Sequence, residues 1–432
     1  MDASVHDSRS DLVLEAADID ADIVRSDVEP ERDAPNPVDE DVYKMQDVDL
    51  EVLDVIKLGD AELPTNPAHV AIGGWNACMM LEDSSLWCWG PGNWGTVGDG
   101  TGAVRHSPTR VFEGGIAGFS LNGTACAITV SGEVYCWGIN EHGAATGIGR
   151  RTGDPTTPYV ISQPSRVDGL PHARGVATGG AWSCIILDDR SVWCWGGSSS
   201  YSISPPRAFS DLRDVLRLSL SIQTNCALLV DGRVRCWGDP RSHVCGTRGT
   251  HGDCNVGYPV YVDDVADAVD VAVGYSMACV IRRDRSLWCW GMNGKRQLGA
   301  PSSDICNCPD LLGHDVPVPC AWSPQRVPLP GPVRQVDLAD DYDRACALLM
   351  DGTVWCWGQD ISQPQGTAET ATCGPACGYG SGLPCRAGPT QVYGITDAVE
   401  IAVGSFACIR RESGDVRCWR GNTAPSTAPS RW

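Results

Sequence analysis

The chain has 432 residues, of which 42% are hydrophobic, and it carries a formal net charge of −21 at pH 7. This length allows two or three ordinary domains. The acidic balance argues against a nucleic-acid partner, because phosphates would be repelled. The absence of any run of 18 apolar residues argues against a transmembrane helix.

Residues 1–63 differ in composition from the rest of the chain. They contain 20 acidic and 5 basic residues, a net charge of −15, and no tryptophan. Low hydrophobicity combined with a high net charge is typical of disordered segments. We therefore predict a disordered acidic tether over 1–63, followed by a single folded domain over 64–432.

From residue 78 onward, one pattern recurs seven times: a cysteine, nine residues, a second cysteine and then a tryptophan. A fixed internal repeat indicates a repeat architecture before any local pattern is considered. The cysteine pairs and their tryptophans are Cys78 and Cys88 with Trp89, Cys126 and Cys136 with Trp137, Cys184 and Cys194 with Trp195, Cys226 and Cys236 with Trp237, Cys279 and Cys289 with Trp290, Cys346 and Cys356 with Trp357, and Cys408 and Cys418 with Trp419.

Each repeat predicts a β-hairpin. In the fourth copy, Asp231-Gly232 lies between two apolar runs, which is a hairpin signal. A three-residue loop, 230–232, puts the glycine in the left-handed region, where it has no steric cost. The same register places Cys226 directly opposite Cys236. Opposed Cβ atoms lie about 4.5–5.5 Å apart, close to the spacing in a disulfide. We therefore predict a disulfide in all seven hairpins, with reduced buried cysteines as the alternative.

The left-handed position is glycine in four copies, and some strain is expected at Ser84, Arg190 and Arg285 in the other three. Alternation puts the cysteines of a hairpin on one face and the tryptophan on the other. Both faces are largely apolar, so both should be covered by neighbours. The seven tryptophans are therefore predicted to be blade core, in preference to light sensors or a carbohydrate platform.

Every hairpin has a strand-like run before it and a Pro-x-x-Val element after it. In the fifth repeat the run is Val269–Gly274, and in the fourth the element is Pro259–Val262. Proline at the start of such an element suits an outer edge strand. Four strands in each of seven repeats predict an all-β chain, a seven-bladed β-propeller of four-stranded blades. The last strand would be Pro429–Trp432.

These motifs resemble the regulator of chromosome condensation repeat family. The match lies in Cys346–Gly358, which reads CALLMDGTVWCWG, in Asn293–Gly299, which reads NGKRQLG, and more loosely in Gly92–Thr101. The resemblance implies a seven-bladed propeller, but the activities in the family range from Ran nucleotide exchange to ultraviolet-B sensing and β-lactamase inhibition. Two departures stand out: paired hairpin cysteines are unusual there, and Trp419-Arg420 replaces the usual Trp-Gly.

Eight further cysteines lie in loops between the hairpin and the outer strand of repeats four to six. We predict one bridge within each loop and one between the fifth and sixth, with Cys308 and Cys377 as one candidate pair; spacing alone does not determine connectivity. A zinc site built from Cys306, Cys308, Cys373 and Cys377 is the alternative. The eight are Cys245, Cys254, Cys306, Cys308, Cys320, Cys373, Cys377 and Cys385.

Disulfides in every repeat indicate an oxidising compartment, since a reducing cytosol would not sustain them. We expect a secreted, periplasmic or surface-lipoprotein location of bacterial type. No signal peptide is visible, so the disulfide prediction implies a leader removed before residue 1, or a misassigned start. A lipid anchor upstream of the chain is the one membrane contact expected.

The leading functional hypothesis is a monomeric, non-catalytic binding propeller. Long loops on a rigid scaffold commonly carry recognition, so a protein or glycan partner is expected at the rim loops of repeats four to six. No catalytic residue, cofactor, metal ligand or nucleic-acid partner is assigned. A propeller-based lyase or glycosidase and a guanine-nucleotide exchange factor are the alternatives, and light sensing is disfavoured because Trp75 and Trp182 lack the family's neighbouring arginine.

An acidic cluster stands at the entrance to the sixth hairpin. Asp337, Asp340, Asp341 and Asp343 crowd this turn, and Asp340 stands where glycine is usual. Calcium prefers oxygen ligands, so a weak calcium site is one interpretation. A solvated acidic turn is the preferred one.

Overall fold

The computed structural model describes residues 67–140, 143–147, 158–180, 182–198, 201–238, 244, 258–309, 315–340, 343–359, 370–372 and 384–419. Every regular element in these ranges is a β-strand. No helix long and apolar enough to cross a membrane occurs in these ranges.

The strands follow one another along the chain as seven antiparallel sheets, called blades 1 to 7. Blade 1 comprises β1 (Pro67–Gly73), β2 (Asn76–Leu81), β3 (Leu86–Gly90) and β4 (Arg105–Phe112); blade 2 β5 (Ile116–Leu121), β6 (Thr124–Thr129), β7 (Val134–Ile139) and β8 (Val160–Arg166); blade 3 β9 (Ala173–Gly179), β10 (Trp182–Leu187), β11 (Val192–Ser198) and β12 (Tyr201–Ala208); blade 4 β13 (Val215–Leu220), β14 (Thr224–Leu229), β15 (Val234–Gly238) and β16 (Val260–Tyr261); blade 5 β17 (Ala268–Val273), β18 (Met277–Arg282), β19 (Leu287–Met292), β20 (Asp304–Pro309) and β21 (Asp315–Arg326); blade 6 β22 (Val333–Leu338), β23 (Arg344–Leu349), β24 (Val354–Gln359), β25 (Thr370–Thr372) and β26 (Pro384–Gln391); and blade 7 β27 (Ala398–Val403), β28 (Ala407–Arg411) and β29 (Val416–Trp419).

Neighbouring first strands contact one another around a closed ring, from β1 through β5, β9, β13, β17, β22 and β27 and back to β1. The innermost strand of every blade therefore lines a common axis. The predicted all-β, seven-bladed propeller is confirmed. The predicted outer strand of blade 7, Pro429–Trp432, lies outside the described residues, as do the tether over 1–63 and the first residues of the predicted 64–432 domain.

Blades 5 and 6 exceed the predicted four strands. In blade 5 the order is β17-β18-β19-β21-β20, so β20 pairs with the first half of the long strand β21. In blade 6 the short strand β25 likewise pairs with the outside of β26. Both extra strands arise within inserted loops that carry additional cysteines.

The propeller has two unlike faces. We call upper the face that holds the turns between first and second strands and the segments after the third strands; Met292 N donates to Ser276 O across it at 2.9 Å. The lower face holds the tight turns between second and third strands. At the left-handed position of these turns, Gly232 has φ 81°, whereas Ser84, Arg190 and Arg285 have φ 64°, 64° and 66°. The three non-glycine residues thus adopt the strained conformation that the repeat register predicts.

Candidate functional site

Each of the seven hairpins carries a disulfide between directly opposed cysteines, as the repeat register predicts. In blade 4, Cys226 pairs with Cys236 in the strand register, and their Cα atoms are 4.1 Å apart. The other six hairpins have the same separation within 0.1 Å. Their bridges are Cys78 with Cys88, Cys126 with Cys136, Cys184 with Cys194, Cys279 with Cys289, Cys346 with Cys356, and Cys408 with Cys418.

The hairpin bridges lie in the interior of the propeller. Six of the seven are fully buried, Cys88, Cys136 and Cys356 among their members, and in the seventh Cys418 is half-buried. The alternative prediction was reduced, buried cysteines. These fourteen residues are mostly buried, but they are disulfide-bonded and not reduced.

Every hairpin disulfide packs in the same apolar cluster as the tryptophan of the following blade. Cys226 and Cys236 share a cluster with Trp290 of blade 5, and Cys279 and Cys289 share one with Trp357 of blade 6. At ring closure, Cys408 of blade 7 lies in the cluster of Trp89 of blade 1. The same relation joins the remaining four pairs of neighbouring blades. Each interface between blades therefore contains a disulfide and the indole of the next blade in one apolar cluster.

The indole N–H groups add a polar contact to this packing. Trp137 Nε1 donates to Thr96 O of blade 1 at 3.0 Å, and Trp357 Nε1 donates to Gln297 O of blade 5 at 2.8 Å. Trp195 and Trp290 make the same kind of bond to Ala144 O and Val244 O. Each acceptor lies in the segment after the third strand of the preceding blade. These four tryptophans thus hold the upper segments in place, whereas the buried Trp89 and Trp419 N–H groups make no such bond among the described residues. All seven repeat tryptophans are buried.

The insertion of blade 5 forms a stapled ribbon, which we define as β20 and the paired first half of β21. A disulfide joins Cys306 and Cys320, with Cα atoms 5.8 Å apart. These cysteines form a small apolar cluster with Met292 and Val318. On the opposite face of β20, Ile305 is 57% exposed. The ribbon therefore has its own core on one side and an open surface on the other.

The Cys306–Cys320 bond is a bridge within the fifth loop, and it removes Cys306 from the proposed zinc set. The described residues contain no group of three or more acidic, histidine or cysteine side chains placed to hold a metal ion. Cys385 is buried in β26. Cys245, Cys254, Cys373 and Cys377 lie outside the described residues, as does the side chain of Cys308, so the proposed Cys308–Cys377 pair stays a prediction.

Three of the four carboxylates at the acidic turn of blade 6 contact separate partners, and the fourth, Asp341, lies outside the described residues. Asp343 pairs with Lys295 Nζ at 3.0 Å and accepts a hydrogen bond from Ser276 Oγ at 2.7 Å, both in blade 5. Asp340 accepts from Asn122 Nδ2 of blade 2, on the far side of the ring. Asp337 accepts from Val403 N of blade 7 at 2.6 Å. These diverging contacts do not support a calcium site here.

Charged side chains of the first strands link neighbouring blades around the axis. Arg217 Nη1 lies 3.0 Å from Asp270 Oδ1, between blades 4 and 5. His69 Nδ1 contacts Glu400 Oε1 between blades 1 and 7. Burial acts to raise the pKa of Glu400, but hydrogen bonds from His69 and Arg410 outweigh it and leave the pKa lowered.

Burial has the opposite net result at Asp337. Desolvation raises the pKa of Asp337 to about 7, and the hydrogen bond from Val403 N only partly opposes this shift. Our interpretation of the sequence overlooked this inner ring of polar side chains. The available signal was a pair of polar residues at alternate positions of a first strand, as Gln335 and Asp337 are in Val333–Leu338, which reads VRQVDL.

Comparisons with known proteins agree with this architecture. Two segments, 122–144 and 268–297, match the family model described as regulator of chromosome condensation (RCC1) repeat. A yeast RCC1 crystallised with Kap60 superposes with a TM-score of 0.63 at 18% identity, covering 84% of this chain and 85% of that one. The chain is thus a seven-bladed propeller with the fold of yeast RCC1, and two of its segments match the RCC1 repeat.

Curated relatives share only part of their length with this chain. The mitochondrial RCC1 domain-containing protein RUG3 of Arabidopsis thaliana is 28% identical over 246 residues, which is 54% of this chain and 55% of RUG3. The human E3 ubiquitin-protein ligase HERC2 is 28% identical over 137 residues, 30% of this chain and 3% of HERC2.

Proposed function

We propose that this chain is a non-catalytic binding module of an oxidising, extracytoplasmic compartment, and that it recognises a protein partner through the upper rim of blades 4 to 6. The stapled ribbon of blade 5 is the observation that carries this proposal. A disulfide-closed hairpin loses less conformational entropy on binding than a free loop does. Its exposed face presents Ile305 to an incoming surface.

The neighbouring blades support the same rim. Blade 6 carries the extra strand β25 beside β26, and the blade 4 insertion contributes Val244, whose carbonyl holds Trp290. Yeast RCC1, which has this fold, was crystallised with Kap60, so a propeller of this kind can bind a protein. The compartment rests on the eight disulfides of the described residues, because reducing cytosol does not sustain such bonds.

A pair of matched surface variants tests the binding face. Ile305→Glu places a charge on the ribbon, whereas Val130→Glu places the same charge on the lower face, where Val130 is 72% exposed. Partners would be identified by cross-linking the oxidised full chain in its native fluid, and their affinities then measured with each variant. We expect Ile305→Glu to weaken binding by about tenfold or more, the scale of a central contact.

Val130→Glu should leave the affinity unchanged. Equal binding by wild type and Ile305→Glu would remove the ribbon from the interface. The partner could also prove to be a glycan whose binding is weakened by Ile305→Glu. That result would support the ribbon as the binding face but would change the proposed class of ligand.

A further inference from the structure

Some innermost strands bond through their side chains to the free edge of the next blade. In blades 2, 4 and 6 the fifth residue of the first strand accepts a hydrogen bond from a backbone N–H of the next blade, and in blade 6 the third residue bonds there as well. Ser219 accepts a hydrogen bond from Val273 N at 3.0 Å. Gln335 makes two such bonds, donating to Ile401 O at 2.8 Å and accepting from Ile401 N at 3.0 Å. Side chains thereby occupy edge N–H and C=O groups that would otherwise be unpaired.

Between blades 2 and 3, the third position is Gly118, which has no side chain to make such a bond. Gly118 is the third residue of β5, the position that Gln335 has in β22. Ser120, two residues later and on the same face of the strand, still accepts from Thr178 N of blade 3 at 3.0 Å. An added Cβ at Gly118 would meet no atom within 4 Å. The space that faces blade 3 at this level is therefore open.

The residue across from Gly118 is Val176, the fourth residue of β9. Thr178 N points away from β10 toward blade 2, since it bonds to Ser120. Strand geometry repeats every two residues, so Val176 N–H points the same way. Val176 is half-buried, whereas the fourth residue of each of the other six first strands is buried. No hydrogen bond to the Val176 backbone from blade 2 is found among the described residues.

Gly175 in β9 does not create a second opening of this kind. An added Cβ there would lie 3.5 Å from the Ile186 side chain. At the remaining third positions, a larger side chain fills the space, as His69 does where its ring packs edge-on against Phe119 at 5.1 Å. The opening between Gly118 and Val176, which we call the edge crevice, is thus specific to one interface.

We propose that the edge crevice is a binding site for a planar carboxamide, such as an asparagine or glutamine side chain of a partner or a free small amide. The protein contains the matching contact: the Gln335 amide both donates to and accepts from the backbone of Ile401. Val176 offers the same donor and acceptor pair to an external group. A carboxylate could accept from Val176 N but has no proton to donate to Val176 O.

Arg174, beside the edge crevice, could favour a carboxylate ligand over a carboxamide. This side chain precedes Val176 by two residues and is exposed. A carboxylate would gain a charge-assisted bond there. Propionate is for this reason the proper competitor to propionamide in the test.

The test follows the Val176 amide resonance of the oxidised full chain by nuclear magnetic resonance. Propionamide is expected to shift it saturably, with an affinity on the order of millimolar for so small a ligand, and propionate is expected to bind more weakly. A capped Gly-Gln-Gly peptide distinguishes the sources of the amide. Tighter binding by the peptide points to a partner protein, and exclusion of the peptide points to a small molecule.

Three substitutions serve as matched controls. Gly118→Gln should abolish the propionamide shift by supplying the amide from within, and it should raise the melting temperature, whereas Gly118→Leu should abolish the shift without that stabilisation. Gln335→Gly should open an equivalent crevice and create a propionamide shift at Ile401. Failure of wild type to show a saturable Val176 shift, or stronger binding of propionate than of propionamide, would overturn the proposal.

Discussion

At the scale of single residues, the inner ring shows how position within one fold can reverse the behaviour of a carboxylate. Asp337 lies among the first strands, where burial raises its pKa to about 7. Asp351 lies in a lower-face turn, where hydrogen bonds from the Thr353 side chain and backbone lower its pKa. Folding therefore favours the protonated form of Asp337 and the ionised form of Asp351.

The substitution Asp337→Asn tests the raised pKa. Between pH 3.8, the ordinary value, and pH 7, the folded chain holds a proton that the unfolded chain releases. The free energy of unfolding therefore falls as the pH rises through this window. Asparagine removes the penalty, so the variant should be more stable than wild type at pH 8, by on the order of 1–3 kcal/mol, and should gain nothing at pH 4.

Urea unfolding at the two pH values measures this difference. Asp351→Asn is the control with the opposite sign, because a lowered pKa contributes stability above the ordinary pKa that is lost as the pH falls. It should be less stable than wild type at pH 8. An Asp337→Asn gain of equal size at pH 4 and pH 8 would rule out titration as its cause.

At the scale of the hairpin, the turn and the cross-strand disulfide depend on the same register. This register requires a left-handed residue in every lower turn, and three repeats supply a side chain where glycine would be unstrained. Arg190, with φ 64°, is one of them. The strain is local, because the adjoining Cys184–Cys194 pair has the same 4.1 Å Cα separation as the pair beside Gly232.

Arg190→Gly should raise the free energy of unfolding by about 0.5–1 kcal/mol, because the relief of left-handed strain exceeds the added chain entropy of glycine. The midpoint of urea unfolding reports the change. The reverse control, Gly232→Ala, should lower the midpoint, since its Cβ would lie 2.9 Å from Ala266 O at a φ of 81°. A lower midpoint for Arg190→Gly would show that arginine contacts outweigh strain.

At the scale of the whole molecule, the covered disulfides make access to thiol chemistry depend on the integrity of the ring. Buried sulfur atoms cannot be reached by a reductant unless neighbouring blades separate. Cys418 is the exception among the hairpin cysteines, because it is half-buried. The blade 7 bridge is thus the weakest point of the array toward reduction.

Mild reduction of the native protein, followed by alkylation and peptide mapping, should label Cys408 and Cys418 first. The other six hairpin pairs should become labelled only at denaturant concentrations that unfold the chain. Uniform labelling of all seven pairs under native conditions would contradict this order. The unreduced, denatured chain provides the control and tests the proposed compartment: free thiols at most of the hairpin cysteines would point to a reducing one.

The hairpins and the blade number could be predicted because several signals agree in every repeat. The Asp231-Gly232 turn, the positions of Cys226 and Cys236 and the alternation of apolar residues all require one register. The fifth strand of blade 5 was hidden because Pro309, Pro317 and Pro319 interrupt the pattern of a strand, although outer strands tolerate proline. The edge crevice depends on the distance between repeats, which no pattern within one repeat specifies.

The indole cover over each disulfide also has a consequence for biogenesis. A hairpin can exchange disulfide partners only while its sulfur atoms remain accessible to a thiolate. Docking of the next repeat ends that period, because the bond then lies buried in one apolar cluster with the tryptophan of that repeat. If the repeats dock in the order in which they are synthesised, each hairpin can correct a wrong disulfide only until the next repeat docks against it. With 22 cysteines in the chain, such stepwise sealing would restrict most errors to the repeat being formed.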